Sequence, residues 1–145
     1  MDGWDRYYPI QTFPGLWVRL AKWIEKKEAQ AIDEVLRELK RKDDALTAWS
    51  KKQKNLFIEV DDAIQLVVAD ILSKFPRLVE SGGSRSGADV FVIALAHIHE
   101  CTVVTGEKRA SSQTGKLKIP DVCDTLHIRC ITLLDLIKEQ RWTFS

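Results

Sequence analysis

Two acidic residues, Asp89 and Glu107, lie in an apolar stretch that begins GADVFVIALA and ends TVVTGEK. Apolar side chains at helical spacing place Asp89 in the first turn of a predicted helix, where the helix dipole favours negative charge. Glu107 follows a β-branched run over residues 101–105, of the kind that a parallel sheet buries on both faces. Open α/β sheets bind ligands beside the carboxyl ends of their strands, so the two carboxylates predict a ligand site there.

Glu38 lies on a helix of its own. It flanks the apolar stripe of a helix that Asp33 is expected to cap, so it either reaches an interior edge or remains a solvated surface glutamate. The residues themselves leave this alternative open.

Two loops are expected to flank the site. The Ser81 to Gly87 segment is rich in glycine and serine and leads directly into Asp89, as a loop at the mouth of a site would. The Lys108 to Lys118 segment contains no acidic residue and is expected to be exposed. It is either a solvated connection or an arm that contacts phosphate without reading sequence. The nucleic-acid contacts predicted from it are Lys108, Arg109, Lys116 and Lys118.

Histidine and cysteine do not form a metal or nucleophile pattern. His97 and His99 lie two residues apart on a predicted helix and point in different directions, and no cysteine accompanies them or His127 at zinc-ligand spacing. The sequence has 3 cysteines, an odd number with no CxxC spacing, which predicts reduced and mostly buried thiols in an intracellular protein. A cysteine nucleophile needs a neighbouring base that the sequence does not reveal, and no serine stands in a GxSxG elbow.

The composition is that of one ordinary globular domain. The chain has 145 residues, of which 45% are hydrophobic and 30% charged, enough for a core of its own. With 22 basic and 21 acidic residues the net charge is only +1, so any nucleic-acid binding must come from a local basic patch. No apolar run approaches the ~20 residues that span a bilayer, and the start does not resemble a signal peptide, so we expect a cytoplasmic protein with no membrane segment.

Helices and strands are expected to alternate along the chain. An amphipathic helix beginning near Pro14 carries an apolar stripe that most simply covers a core, although its two tryptophans also suit a partner surface. Asp61 or Asp62 is expected to cap a strongly periodic helix that Pro76 ends. Short strands are expected at 29–32, 56–60, 101–105 and 129–132. This order predicts an α/β fold, a three-layer α/β/α sandwich with a mainly parallel sheet.

The order and spacing of these segments resemble PIN-domain nucleases. GADVFVIALA followed by TVVTGEK is similar to that family's AD..I.ALA....VVT.(D/E) pattern. RYYP and FPGLW near the start, and LKIPDVCDTLHIRCITLLDL near the end, are similar to an uncharacterised prokaryotic PIN-like branch, and the resemblance covers nearly the whole chain. It implies an Mg²⁺- or Mn²⁺-dependent ribonuclease that acts on RNA. Such nucleases are often the toxins of toxin-antitoxin pairs, with a cognate antitoxin protein as partner.

By the same resemblance, Glu38 matches the family's helix acid, Asp89 its helix-opening aspartate and Glu107 the acid after VVT. These three residues are therefore expected to be both catalytic and metal-binding. Three clustered carboxylates suit Mg²⁺ or Mn²⁺, since hard divalent cations prefer oxygen ligands. Held against a scissile phosphate, such a cation stabilises the attacking or leaving oxygen and lowers the pKa of its bound water. Thr105, by similarity to the Thr in VVT, is the candidate for orienting a ligand or water at the strand end. Its alternative is a plain β-branched strand residue.

The chain departs from the PIN pattern at its start. PIN domains begin with a central strand that ends in Asp, so the expectation is a single PIN-like domain over residues 1–145 that is N-terminally truncated. Asp2 and Asp5 are weak substitutes, because neither follows an apolar strand. With one carboxylate fewer, metal should bind weakly, and the chain is expected to have little activity, to be unstable or to self-associate as a homodimer. The alternative is a non-catalytic, degenerate PIN-like domain that binds RNA or a partner protein.

Overall fold

The computed structural model describes residues 8–40, 45–53, 55–76, 87–106 and 118–144. The chain divides into two compact units, the first formed by residues 1–60 and 142–145 and the second by residues 61–141. Each unit contains helices and a pair of parallel strands. The expected mixed α/β class is therefore confirmed, while the expected single domain stays a prediction.

Helix α1 (Pro14–Glu25) lies in the first unit. Proline suits its first turn, because the missing backbone N–H has no helical acceptor there. The left-handed backbone of Lys27 (φ 62°) follows the helix and lets the Glu28 N–H donate to the Trp23 carbonyl at 3.0 Å. The expected apolar stripe is confirmed, with Trp23 half-buried at its margin. The buried side chains of the stripe are Leu16, Trp17, Leu20 and Ile24.

The first unit is built on a parallel strand pair. β1 (Ala31–Ile32) and β2 (Phe57–Ile58) align with Ala31 opposite Phe57. The Ala31 N–H also donates to the Leu56 carbonyl at 2.7 Å, which extends the ladder by one bond. Between the strands the chain passes through two helices, α2 (Asp33–Lys40) and α3 (Ala45–Lys51). Parallel strands require such a crossover, because a tight turn cannot join them.

Trp17 anchors α1 within the first unit. Its side chain is 1% exposed, and its indole N–H donates to the Tyr8 carbonyl at 2.8 Å. Its ring meets the Trp49 ring of α3 edge to face, with centroids 4.9 Å apart and planes at 76°. Such an aromatic pair stabilises by about 0.5–1.5 kcal/mol beyond its area burial. The indoles therefore connect α1 to α3.

The second unit is also built on a parallel strand pair. α4 (Asp62–Lys74) packs against α5 (Gly87–His99), and β3 (Val103–Val104) follows α5. α6 (Ile119–Leu126) packs on α5 and leads to β4 (Cys130–Ile131), which aligns with β3 so that Val103 lies opposite Cys130. α7 (Leu133–Glu139) follows β4. The order β3–α6–β4 thus gives a parallel strand–helix–strand arrangement.

Helix α5 carries much of the core of the second unit. It is buried over residues 93–96, which is typical of an apolar helix enclosed by its neighbours. α4 has a narrower buried stripe at Ile64, Val68 and Ile71. Ala63 lies beside this stripe in the first turn and is exposed. Among the described helices, α5 included, none is long and apolar enough to cross a membrane.

Side chains hold the helix starts of the second unit. The Asp61 carboxylate accepts from the Ile64 N–H at 2.8 Å, so Asp61 rather than Asp62 is the cap of α4. At the start of α7, Thr132 Oγ1 accepts from the Asp135 N–H at 3.1 Å. The Asp135 carboxylate accepts in return from the Thr132 N–H at 3.1 Å, which completes a capping box. These bonds satisfy backbone donors that have no partner inside a helix.

An ion pair connects the end of α7 to the strand before it. Both terminal guanidinium nitrogens of Arg129, which precedes β4, contact the Glu139 carboxylate. Hydrogen bonding to Arg129 lowers the pKa of Glu139. Hydrogen bonding to the Thr132 backbone, and then to its side chain, lowers the pKa of Asp135. Because Arg129 and Glu139 are exposed, the pair is expected to contribute little to stability.

All three cysteines are thiols outside any disulfide, but only one of them is buried as expected. Cys123 is buried and Cys130 is half-buried, whereas Cys101 is exposed. The left-handed Glu100 (φ 53°) turns the chain after α5, and the Cys101 N–H then donates to the Ala96 carbonyl at 3.0 Å. This bond completes the helix end, so Cys101 does not join the ladder. The strand expected from residue 101 therefore begins at Val103.

Candidate functional site

Asp89 lies in the first turn of α5, as predicted. Its side chain is half-buried, and its neighbours Ala88 and Val90 are both buried. The amino end of a helix carries partial positive charge, so an ionised carboxylate is favoured at this position. A carboxylate that keeps some contact with solvent can bind a hydrated cation, because Mg²⁺ retains several of its waters in proteins.

Thr105 lies at the carboxyl end of the β3–β4 pair. Its N–H donates to the Ile131 carbonyl at 3.0 Å, which adds one hydrogen bond between the strands. Its side chain is 8% exposed. The left-handed residue Glu100 separates α5 from β3, and the two elements contact each other. The burial of Thr105 fits both its proposed orienting role and the role of a plain strand residue.

The other two predicted carboxylates are Glu38 and Glu107. The backbone of Glu38 lies in α2 of the first unit, but its side chain is outside the described part of the chain, as is the whole of Glu107. The predicted meeting of these two with Asp89 therefore stays a prediction. Among the side chains that the structure describes, no group of three or more His, Cys, Asp or Glu could hold a metal ion.

The two predicted flanking loops fall mostly outside the described residues. Residues 81–86 are not among those described, and Gly87 is the first residue of α5. Lys118 is half-buried at the start of α6, where its backbone N–H donates to the Asp121 carboxylate at 2.9 Å. A role for the Lys118 ammonium group in binding phosphate stays a prediction. The remaining predicted contacts, which lie outside the described residues, are Lys108, Arg109 and Lys116.

The first unit contains a basic and aromatic cleft that the sequence patterns did not reveal. Its volume is about 430 Å³, and its described lining consists of Arg19, Lys22, Trp23, Lys26 and Trp142. All but Trp142 come from α1 or the residue that follows it, whereas Trp142 is near the other end of the sequence. The spacing of the three cations along the sequence could have indicated a basic face on α1. The contact with Trp142 could not have been predicted, because no local pattern shows which distant residue meets a helix face.

The described elements define the class as a mixed α/β protein with parallel strand pairs. Residues 1–144 match the family model described as a domain of unknown function (DUF4411), and the chain belongs to that family. No curated protein and no solved structure matches the chain. The family description states no activity, so the function has to be argued from the residues.

Proposed function

We propose that the chain is a metal-dependent endoribonuclease of the PIN type, a hydrolase that cleaves RNA. The proposal includes the finer fold, a three-layer α/β/α sandwich with a mainly parallel sheet. The observation that carries it is the position of Asp89, half-buried in the first turn of α5. The resemblance to PIN domains assigns their helix-opening aspartate to this residue, and the parallel β3–β4 pair beside α5 is consistent with such a site.

The proposed metal ligands are Glu38, Asp89 and Glu107. Their chemistry fits Mg²⁺ or Mn²⁺, because hard divalent cations prefer carboxylate oxygens. When bound, the metal supplies positive charge that stabilises the developing charge on the scissile phosphate. The carboxylates keep that charge in a fixed position, and the amino end of α5 favours the ionised form of Asp89.

Thr105 is proposed as a positioning residue. Its backbone is held by the bond to Ile131, and its side chain is buried at the end of the strand pair. Burial restricts the motion of the side chain, and in this proposal its hydroxyl orients a ligand carboxylate or a water. It takes no direct part in bond cleavage, and its contribution is to geometry.

RNA is proposed to approach along the Lys108 to Lys118 segment. Cationic side chains there would contact phosphates and orient the strand without reading its sequence. A cognate antitoxin protein and a cytoplasmic location belong to the same proposal, since PIN-type nucleases are often toxins. The proposed phosphate contacts are Lys108, Arg109, Lys116 and Lys118.

A second function, RNA binding without cleavage, is favoured by a different observation. The described lining of the cleft in the first unit has three cations and two indoles but no carboxylate. Such a surface can bind an anionic strand without supplying ligands for a hard metal ion. Under this alternative the chain is a degenerate PIN-like domain that binds RNA or a partner protein.

Cleavage of a labelled RNA under single-turnover conditions tests the proposal. With protein in excess, Mg²⁺ or Mn²⁺ should support slow cleavage, as the weak metal binding expected above implies, and EDTA should abolish it. Asp89→Asn removes charge at nearly constant volume. It should lower the rate by at least about a hundredfold, since even the outer partners of metal ligands are worth roughly 10–100-fold.

Asp62→Asn is the matched control, since it removes the same charge from the first turn of α4 in the same unit. This variant should cleave RNA like the native chain. An equal loss of activity in both variants would contradict the proposal, and so would cleavage that persists in EDTA. A native chain that binds RNA in EDTA but does not cleave it with metal would establish the non-catalytic alternative.

A further inference from the structure

We propose that the cleft formed by α1 and Trp142 binds single-stranded nucleic acid, with its cations on phosphates and a base against Trp23. The cleft lies within the first unit, and its described lining includes none of Glu38, Asp89 and Glu107. Binding there requires no metal and no bond cleavage. It is therefore independent of the ribonuclease activity proposed above, and the two proposals can fail separately.

Three cations form a row along α1 and its end. Arg19, Lys22 and Lys26 are spaced i, i+3 and i+7, which corresponds to one helix face, and all three are exposed. At 1.5 Å per residue this row extends for about 10 Å. A stacked nucleic-acid strand carries one phosphate per ~3.4 Å. The row is therefore long enough to contact more than one phosphate of the same strand.

Two indole rings lie beside this row. The Trp23 and Trp142 rings meet edge to face, with centroids 5.4 Å apart and planes at 85°. The Arg19 guanidinium lies 5.6 Å from the centroid of the Trp142 ring. Trp142 is 9% exposed, whereas Trp23 is half-buried. Trp23 is therefore the ring that a base can reach, and its contact with Trp142 holds it in place.

The size and charge of the cleft select the class of ligand. Its volume of about 430 Å³ lies within the range of small-molecule sites, about 300–1,000 Å³, so it can hold a nucleotide unit. An acidic peptide would pair with the cations and leave the indole unused. A nucleic-acid strand uses both, because every base has a face that can stack. With a net charge of only +1, the chain needs a local patch of this kind for such binding.

The salt dependence of binding tests the phosphate contacts. Short labelled oligo-U RNA and oligo-dT DNA are titrated in EDTA and followed by fluorescence anisotropy, and both should bind the native chain. Lys22→Gln combined with Lys26→Gln should flatten the slope of log affinity against log salt by about 1.4, since each contact on a single strand contributes about 0.7. The matched control combines Lys51→Gln with Lys52→Gln, two exposed lysines outside the cleft lining. It should keep the native slope.

Substitution of Trp23 tests the stacking contact. Trp23→Leu should weaken binding by about fivefold or more, which is the smaller end of what one base–aromatic stack contributes. The salt slope should not change, because no phosphate contact is lost. Trp23→Phe keeps an aromatic face and should recover most of the affinity. Thermal unfolding of each variant verifies the fold, and if Trp23→Leu fails to fold, the lysine pair decides the outcome.

Two results would overturn the proposal. One is a native salt slope in the lysine-pair variant, and the other is unchanged affinity in a folded Trp23→Leu variant. Competition with an oligo-Glu peptide separates the two ligand classes. Displacement of the probes by this peptide at an equal concentration of charge would make the cleft an acidic-peptide site. Displacement by unlabelled oligo-U or oligo-dT, but not by the peptide, supports the nucleic-acid site.

Discussion

The two units divide the aromatic residues unequally. All 5 tryptophans and both tyrosines fall within residues 1–60 and 142–145. Among Phe, Tyr and Trp, residues 61–141 contain only Phe75 and Phe91. In the first unit Trp17 anchors α1, and Trp23 lines the cleft. Tryptophan fluorescence therefore reports on the first unit alone, while circular dichroism reports on the helices of both units.

Polar contacts hold described helix ends of the second unit. Asp61 and Thr132 cap the starts of α4 and α7, and Arg129 pairs with Glu139 at the end of α7. By contrast, α1 of the first unit has no side-chain cap at its start. In the two proposals above, the first unit offers the surface for stacking and phosphate binding, and the second unit carries Asp89 in the first turn of α5.

The largest expected effect on stability is in the first unit. Trp17→Ala removes a buried indole and its contact with Trp49, so it should lower the free energy of unfolding by about 3–5 kcal/mol. Ile93→Val removes one methylene from the buried face of α5 and should cost only about 1 kcal/mol. Urea unfolding followed by fluorescence and by circular dichroism measures both. If Trp17→Ala lowered the free energy of unfolding no more than Ile93→Val does, the expected difference between the two units would be wrong.

A smaller gain in stability is expected where a helix is followed by a left-handed residue other than glycine. Glu100 follows α5 with φ 53° and Lys27 follows α1 with φ 62°, a conformation that costs at least about 1 kcal/mol for residues with a side chain. Glu100→Gly also removes negative charge from a helix carboxyl end, so it should stabilise the chain by about 1 kcal/mol. Lys27→Gly should stabilise less, because it removes a favourable positive charge. Thermal unfolding checks this order, which a larger gain for Lys27→Gly would contradict.

The smallest expected effect is the pH dependence of the polar contacts in the second unit. The pKa values of Glu139 and Asp135 are lowered in the folded chain, by hydrogen bonds from Arg129 and Thr132 respectively. The folded chain therefore binds fewer protons than the unfolded chain at acid pH. The stabilisation is present above the unfolded pKa values of about 4 and is lost as pH falls through the folded pKa values.

Urea midpoints from circular dichroism between about pH 2 and pH 6 measure this effect. Glu139→Gln should flatten the profile in part, because one of the two titrating groups is gone while Asp135 remains. Arg129→Gln should flatten it as well, because the partner that lowers the pKa of Glu139 is gone. High salt should weaken the effect in the native chain, since both side chains are exposed. A Glu139→Gln profile as steep as the native one would show that the ion pair contributes nothing.

Local contacts explain which elements the sequence could predict. The start of α1 follows from Pro14 and the apolar stripe behind it, and the start of α4 follows from Asp61. Asp89 was placed correctly because the apolar spacing of α5 is set by residues close to it in the chain. Each of these features depends on neighbours within a few residues, which is the range that periodicity and capping describe.

Turns and distant contacts explain what the sequence could not predict. The length of β3 depends on the turn at Glu100, which uses the Cys101 N–H for the end of α5. The cleft depends on a meeting of Trp23 with Trp142, which lie near opposite ends of the sequence. The meeting of Glu38 and Glu107 with Asp89 stays a prediction, because the side chain of Glu38 and the whole of Glu107 lie outside the described residues.

Binding of Mn²⁺ tests the central claim, that Asp89 is a metal ligand, most directly. A titration followed by the electron paramagnetic resonance signal of free Mn²⁺ compares the native chain with Asp89→Asn and with the control Asp62→Asn. The native chain and the control should bind Mn²⁺ with equal affinity. Asp89→Asn should weaken binding by about tenfold or more, because a ligand and part of the attractive charge are lost. Equal Mn²⁺ affinity in Asp89→Asn and Asp62→Asn would contradict the claim.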